Sequence, residues 1–138
     1  MGPVLLLVFG FLLGVAVTIT IKVENIRIED IDERIAKARL KTTETKLRQL
    51  KMIVEEYKIK NKRIPQVLNE LLEPDPRLFD KPWVESEENL LDAWDNPMEI
   101  RELERGSFEI TSYGADRAEG GENFDADLSS NRLSQPPR

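Results

Sequence analysis

The chain has 138 residues with 20 basic and 26 acidic side chains, a formal net charge of −6, and neither cysteine nor histidine. These absences exclude a disulfide framework, thiolate or imidazole metal ligands, and nucleophile pairs built on histidine. The acidic balance argues against nucleic acid as a partner. Because no residue pattern supplies a nucleophile, a pocket or an oxyanion site, we expect the protein not to be an enzyme.

The first segment carries no charged residue from Met1 to Ile21. At a helical rise of about 1.5 Å per residue, this run spans roughly 30 Å, the thickness of a bilayer hydrocarbon core. We therefore predict a transmembrane helix over residues 1–22 that crosses the membrane once. A cleaved secretory signal is the alternative, although such a signal normally has a basic start, a shorter apolar stretch and a small-residue cleavage site.

The next segment, residues 23–61, has the spacing of an amphipathic helix that continues the first one. Small and apolar side chains recur at steps of three and four, so they share one narrow stripe. The stripe contains Ala36, Leu40, Thr43, Leu47, Leu50, Val54 and Tyr57. Since an isolated helix is marginal in water, we expect the stripe to pack on the rest of this chain or on neighbouring copies.

Residues 62–128 have the pattern of a small folded head. Pro65 should end the long helix near Asn61, because the residue before a proline is kept away from helical backbone angles. A short second helix is expected from Pro65 to Leu72.

Two runs of alternating apolar residues follow, Met98–Leu103 and Ser107–Tyr113. Arg105-Gly106 lies between them and suits a tight turn, so the pattern predicts an antiparallel hairpin. The polar end of the chain at 129–138 contains two prolines and is predicted to be a disordered tail.

Carboxylates and glycines are concentrated in one irregular loop after the hairpin. Calcium takes roughly six to eight oxygen ligands from carboxylates and main-chain carbonyls, and glycine allows the sharp turns that such a cage needs. A bound cation would also relieve the mutual repulsion of these carboxylates. The alternative is a flexible loop of solvated charges. The acidic residues are Asp116, Glu119, Glu122, Asp125 and Asp127.

The loop does not follow the best-known calcium-binding pattern. Counted from Asp116, the third and fifth positions are Ala118 and Gly120, and the twelfth is Asp127 rather than glutamate. A calcium site in this loop would therefore be a different kind of cage.

Several short motifs occur in a fixed order along the chain. They are Tyr57-Lys58 with Asn61 and Pro65, then Asp92-x-Trp94-x-Asn96-Pro97, then Ser112-x-Gly114-Ala115-Asp116 with Gly120-Gly121-Glu122 and Asp125-Ala126-Asp127. With the apolar and amphipathic segments before them, they resemble the major pseudopilin of type II secretion systems, from about Ile35 to Leu128. The last third is the specific part, because many pilin-like proteins share the helix.

The resemblance implies an α+β, pilin-like fold. A long N-terminal helix, membrane-spanning in its first half, would pack on a small antiparallel β-sheet that carries a calcium-binding loop. It further implies that calcium is the cofactor. Its ligands would be the side chains of Asp116, Asp125 and Asp127, with main-chain carbonyls near Tyr113 and Ala118.

The resemblance also implies a location, the bacterial inner membrane, with a single-pass anchor and the C-terminal head in the periplasm. Basic residues close behind the anchor, such as Lys22 and Arg27, conflict with this topology because such residues favour the cytoplasmic side. A calcium cage favours the periplasm, since the cytoplasm keeps calcium scarce.

The function implied by the resemblance is structural. The chain would be a subunit of a type II secretion or related type IV pilus-like filament, which helps to drive protein export through the outer membrane. Its partners would be further copies or other pseudopilins, joined through the N-terminal helix, and the secretion machinery.

The N-terminus departs from the family pattern. Family precursors have a basic leader, a Gly-Phe cleavage site and a glutamate a few residues further on. This chain has Gly10-Phe11 after an uncharged start and no glutamate before Glu24. The alternative function is therefore a membrane-tethered adaptor or binding module that does not polymerise.

Overall fold

The structure is a computed structural model that describes residues 4–9, 17–22 and 28–133. The chain divides into two units, residues 1–34 and residues 35–138. In the first unit, strand β1 (Val4–Phe9) pairs with strand β2 (Val17–Lys22) in antiparallel register, with Val4 opposite Lys22.

These two strands lie within residues 1–22, where the sequence predicted a transmembrane helix. Residues 17–21 are all β-branched, and such side chains lose rotamer freedom in a helix but pack well in a strand. The prediction used only length and absence of charge, which do not separate helix from strand. The other residues of the predicted helix lie outside the described ones. Within the described residues, no helix is both long and apolar enough to cross a bilayer.

Helix α1 runs from Ile28 to Asn61, 34 residues, or about 51 Å at the usual helical rise. It ends where the sequence predicted. Lys62 has a positive φ of 59°, and its N–H donates to the carbonyl of Lys58 at 2.9 Å. The predicted start at residue 23 lies outside the described residues.

The stripe on α1 forms one wall of the core of the second unit. Thr43, Leu47, Leu50, Val54 and Tyr57 are buried, whereas Ala36 and Leu40 are half-buried. Packing of the stripe on the rest of the chain is therefore observed over 43–57. The facing core residues are Leu68, Leu71, Val84, Leu90, Met98, Phe108 and Ile110.

The segment after the helix forms a short 3₁₀ helix over Leu68–Leu72, where a short helix from Pro65 to Leu72 was predicted. Val67, the residue before the turn, is extended, and no side chain caps it. Leu68 and Leu71 are buried, so apolar contacts hold the turn. Further 3₁₀ turns cover Pro76–Leu78, Glu87–Leu90 and Glu104–Gly106.

The predicted hairpin is confirmed. Strand β3 (Glu99–Glu102) pairs antiparallel with strand β4 (Phe108–Ser112), and β4 also pairs with the short strand β5 (Leu128–Ser129). The sheet order is β3-β4-β5. Lys58 Nζ donates to the carbonyl of Gly106 at 2.6 Å, which ties the helix to the hairpin turn.

The prediction that the tail is disordered from residue 129 is wrong for residues 129–133. Ser129 belongs to β5, and Ser130 is 2 % exposed. Ser130 donates its N–H to the carbonyl of Ile110 and accepts the N–H of Ile110 on its Oγ, both at 2.9 Å. A serine hydroxyl that bonds to main chain can replace a hydrogen bond between strands. Amino-acid composition does not reveal such a bond. Residues 134–138 lie outside the described residues.

The carboxylate of Asp75 joins the end of the helix to the loop that follows. Its Oδ1 accepts the N–H of Arg77 at 2.9 Å, and its Oδ2 accepts from Trp83 Nε1 at 2.7 Å and Asn61 Nδ2 at 3.1 Å. The hydrogen bond from Arg77, followed by those from Trp83 and Asn61, lowers the pKa of Asp75 to about 2. The ionised form is therefore the one that the fold stabilises.

This pKa predicts how stability changes with pH. Because the pKa of Asp75 is lower in the folded chain than the ordinary value of 3.8, its contribution is complete above that value and is lost as the pH falls towards 2. We expect the melting temperature, followed by circular dichroism, to fall steeply across this window. Asp75→Asn should melt lower at neutral pH and show a shallower fall. Asp80→Asn, at an exposed position of the same loop, is the control and should keep the steep fall. Equal slopes for Asp75→Asn and the unsubstituted chain would contradict this role.

Candidate functional site: the loop between β4 and β5

Residues 113–127 connect β4 to β5 and contain the clustered carboxylates. The loop folds back on itself through main-chain hydrogen bonds. The N–H of Ala115 donates to the carbonyl of Phe124 at 3.0 Å, and the N–H of Asp127 donates to that of Gly120 at 3.2 Å. The loop therefore has a defined conformation despite its lack of helix or strand.

Two positions in this loop require glycine. Gly114 and Gly121 have φ values of +65° and +79°, which side-chain-bearing residues rarely adopt. A Cβ on Gly121 would lie 2.4 Å from the carbonyl oxygen of Asp125. A Cβ on Gly114 would lie 2.7 Å from the carbonyl carbon of Asp125. Both glycines thus let the main chain of Asp125 pack closely against their own, Gly114 at the start of the loop and Gly121 in its middle.

A buried carboxylate holds the neighbouring turn. Asp92 is 1 % exposed. Its Oδ1 accepts the N–H groups of Trp94 and Asn96 at 2.8 and 2.9 Å, and its Oδ2 accepts from Ser112 Oγ at 2.7 Å. The turn is thereby joined to the end of β4.

Asn96 connects this turn to the carboxylate-bearing loop. Its Nδ2 donates to the carbonyl of Gly114 at 2.8 Å, and its Oδ1 accepts from Arg117 Nε. Asn96 is itself buried. Its side-chain nitrogen and its side-chain oxygen are both hydrogen-bonded to protein groups. The Asp92-to-Pro97 motif and the loop therefore form one hydrogen-bonded structure.

Asp127 has the most unusual environment of the predicted ligands. Its Oδ2 accepts the N–H of Gly120 at 3.0 Å. Its Oδ1 is buried and, within residues 30–133, has no hydrogen-bond donor. A buried carboxylate oxygen without a partner is unfavourable, and a cation would supply the missing interaction.

The other predicted ligands lie elsewhere on the loop. Asp116 is exposed, and its Oδ1 accepts the N–H of Ala118 at 3.0 Å. Asp125 is also exposed, and its main chain packs against the two glycines. Among the described residues, no group of three or more acidic side chains is placed so that it could hold a metal ion. The structure therefore does not bring Asp116, Asp125 and Asp127 together.

Tyr113 lies at the start of the loop, and its hydroxyl donates to Glu99 Oε2 at 3.1 Å. This hydrogen bond raises the pKa of Tyr113, and burial and the charges of Glu99, Glu119 and Asp127 act in the same direction. A polar cavity of about 190 Å³ lies here, lined by Glu99, Arg101, Glu109, Thr111, Tyr113, Glu119, Asp127, Ser129 and Arg132.

Glu99 was not predicted from the sequence as a neighbour of Tyr113. The hairpin register contains the signal, because Glu99 pairs with Thr111 and therefore lies diagonally opposite Tyr113.

The residues present fit calcium in part. An orphaned carboxylate oxygen, glycine turns and a surplus of acidic side chains are the features that a calcium cage uses. A converged set of three carboxylates, the remaining requirement of the predicted site, is not found among the described residues.

The comparison with known families covers both the helix and the loop. A profile of the family described as type II secretion system (T2SS), protein G, matches residues 30–131. The chain belongs to this family. The resemblance to the major pseudopilin is thereby confirmed, and the long helix on a three-stranded antiparallel sheet agrees with a pilin-like fold. A comparison with curated proteins gave no match.

Membership of the protein G family sets the coarse function. Its members are pseudopilins, which are structural rather than enzymatic components of the type II secretion system and are associated with membranes of the envelope. The profile extends from the start of α1 to the residues just after β5, so it includes the Asp92 turn and the loop.

The Asp92 turn predicts a large effect of one small substitution. In Asp92→Asn, an amide NH₂ would replace an oxygen that faces hydrogen-bond donors, leaving a buried donor without an acceptor. We expect the free energy of unfolding to fall by about 1–3 kcal/mol. Asp95→Asn is the control, because residue 95 is exposed and its φ of 62° suits asparagine. Urea denaturation measures both variants, and equal stabilities would contradict the role of Asp92.

Proposed function

We propose that this protein G family member is a filament-forming pseudopilin that helps to drive protein export through the outer membrane. The observation that carries the proposal is the family match over 30–131, because one profile covers the helix, the sheet and the loop together. A filament subunit needs a head of fixed shape and a helix with free surface for neighbours. The described residues supply both.

The free helical surface supports self-assembly. The core of the second unit covers the α1 stripe from Thr43 to Tyr57. Before that stretch, Ile31 and Ile35 are 42 % and 49 % exposed. Large apolar side chains exposed on one helix favour burial against another molecule. We propose that neighbouring pseudopilins and the secretion machinery contact this part of α1.

We further propose a single-pass attachment to the bacterial inner membrane, with the head in the periplasm. The uncharged run from Met1 to Ile21 is the segment proposed to attach the chain. The membrane association of the family supports this proposal, and the basic residues that follow the run oppose it.

Assembly can be tested on the full chain in membranes with an amine-reactive cross-linker. We expect a ladder of multimers, because a filament places many copies in contact. Ile35→Asp should shorten the ladder to small oligomers, since it places a charge on the proposed contact surface. Val67→Asp is the control, at a position that is 57 % exposed on the head. A chain that stays monomeric would contradict the filament role and favour the tethered adaptor.

We also propose that calcium stabilises the loop between β4 and β5. The unpartnered Oδ1 of Asp127 supports this proposal. Asp116 and Asp125, with the main-chain carbonyls of Tyr113 and Ala118, are the further ligands implied by the resemblance. The ion would neutralise the clustered carboxylates and fix a loop that has few regular hydrogen bonds. Binding only to the folded chain would raise its stability.

Thermal denaturation with calcium and with a chelator tests this proposal. We expect calcium to raise the melting temperature by several degrees. Each kcal/mol by which binding stabilises the folded chain raises the melting temperature of a domain of this size by roughly 4–8 °C. Asp127→Asn should abolish the shift. Asp80→Asn, an exposed acidic residue outside the loop, should keep it. Identical melting of the unsubstituted chain in calcium and in chelator would overturn the assignment.

A further inference from the structure

The basic side chains of the second unit are concentrated in one part of α1. Residues 35–51 contain six basic side chains and one acidic side chain, Glu44, for a net charge of +5. Residues 52–133 contain 20 acidic and 10 basic side chains, for a net charge of −10. The second unit therefore has a positive helical segment and a negative head. Opposite charges on two protein surfaces favour and orient their association.

One face of the positive segment is free for a partner. Lys41, Thr45 and Arg48 follow one another at steps of four and three, so they share a helix face, and all three are exposed. The core stripe lies on another side of the helix, where Leu47 is fully buried. Within residues 30–133, neither Lys41 nor Arg48 forms an ion pair. This basic face therefore carries positive charge that the head does not neutralise.

The loop between β4 and β5 is the matching acidic surface. Residues 113–127 contain five acidic side chains and one basic one, Arg117, whose Nε donates to Asn96. Four of the acidic residues are exposed, and in the described part of the head none of these four forms an ion pair. The four are Asp116, Glu119, Glu122 and Asp125.

Two of these carboxylates remain available when calcium is bound, because Glu119 and Glu122 are not among its predicted ligands. The cavity beside Glu119 also contains Arg101 and Arg132, but four carboxylates line it as well. Arg101 already pairs with Glu109 at 3.1 Å. The surface around Glu119 and Glu122 is therefore negative.

Another acidic turn of the head, at residues 85–88, lies against α1 of its own chain. Lys46 Nζ donates to the carbonyl of Glu88 at 2.9 Å. Positive charge of the helix is thus already close to this turn, whereas the loop carboxylates have no ion-pair partner. The loop is therefore the acidic surface that is left for another molecule.

We propose that the basic face of one copy contacts Glu119 and Glu122 in the loop of a second copy. The two surfaces are different patches of the same chain, so the contact is head-to-tail and can continue from copy to copy. The contact rests on the proposed filament function. It adds to that function a specific pair of surfaces, separate from the apolar contact proposed at Ile31 and Ile35.

Thiol cross-linking in membranes tests this placement, since the chain contains no cysteine. A helix chain with Thr45→Cys and a loop chain with Ala118→Cys, both at exposed positions, are produced together at full length with different tags. A bismaleimide should join the two chains, because the contact brings their thiols together. In the control, Val67→Cys, at a position that is 57 % exposed on the head, replaces Thr45→Cys. The control should give at least tenfold less joined product.

Charge reversal tests the attraction between the two surfaces. Lys41→Glu with Arg48→Glu in the helix chain should lower the yield of joined product about tenfold, because like charges would then face each other. Glu119→Arg with Glu122→Arg in the loop chain should restore the yield. Maleimides react with the thiols and not with the exchanged residues, and complete labelling by a monofunctional maleimide checks each thiol. An unchanged yield after the first reversal, or no restoration after the second, would overturn the pairing.

The outcomes separate this contact from the proposed function. The ladder that the amine-reactive cross-linker forms in the unsubstituted chain reports the filament. A ladder without the joined product would overturn the contact, leave the basic face to a different acidic partner and leave the filament role standing. Absence of a ladder in the unsubstituted chain would contradict the filament role itself, and with it the contact.

Discussion

The carboxylate of Asp92 is the interaction on which the irregular half of the head depends. It accepts two main-chain N–H groups of its own turn and the hydroxyl of Ser112 at the end of β4. The turn is also bonded to the helix, because the N–H of Ala93 donates to Thr43 Oγ1 at 3.1 Å. One buried acidic group therefore joins helix, turn and sheet, and through Asn96 it reaches the long loop.

This arrangement explains how a small head can have a fixed shape with little regular structure. Side chains that bond to main chain replace the missing ladders at several points, since the main-chain polar groups of a folded head must be paired. Lys46 Nζ donates to the carbonyls of Glu88 and Leu91 at 2.9 and 2.8 Å and satisfies the end of one 3₁₀ turn. Elsewhere, the side chains of Asp75 and Ser130 accept the main-chain N–H groups of Arg77 and Ile110. A filament subunit benefits from such rigidity, because its neighbours must find the same surfaces in every copy.

Periodicity in the sequence was sufficient to predict the regular elements. The stripe from Thr43 to Tyr57 and the hairpin around Arg105-Gly106 depend on the spacing of apolar residues along the sequence. Within one helix or strand, this spacing decides which side chains share a face. The family could be identified because its motifs lie in turns where few residue types fit, such as Gly114 and Gly121. These parts of the fold follow from short-range patterns.

The remaining features depend on contacts that spacing does not encode. The uncharged N-terminal run is compatible with helix or strand, and only β-branching favours the latter at residues 17–21. The hydroxyl contacts of Ser129 and Ser130 join residues about 20 positions apart, so a polar tail was expected to be disordered. The loop carboxylates were correctly located in one segment, but the direction of each side chain in an irregular loop is set by turns such as the one at Gly120.

The short strand β5 has a consequence for molecules packed side by side. An uncovered strand edge can recruit a strand from a neighbour and fuse two proteins into a mixed sheet. Here residues after β5 occupy the outer edge of β4: Ser130 bonds both main-chain groups of Ile110, and Asn131 Nδ2 donates to the carbonyl of Phe108 at 3.0 Å. The opposite edge, β3, carries charged residues that discourage strand addition. The stretch of β4 beyond β5 and the charged β3 edge are thereby protected against amyloid-like pairing, so heads that come together can touch there without merging.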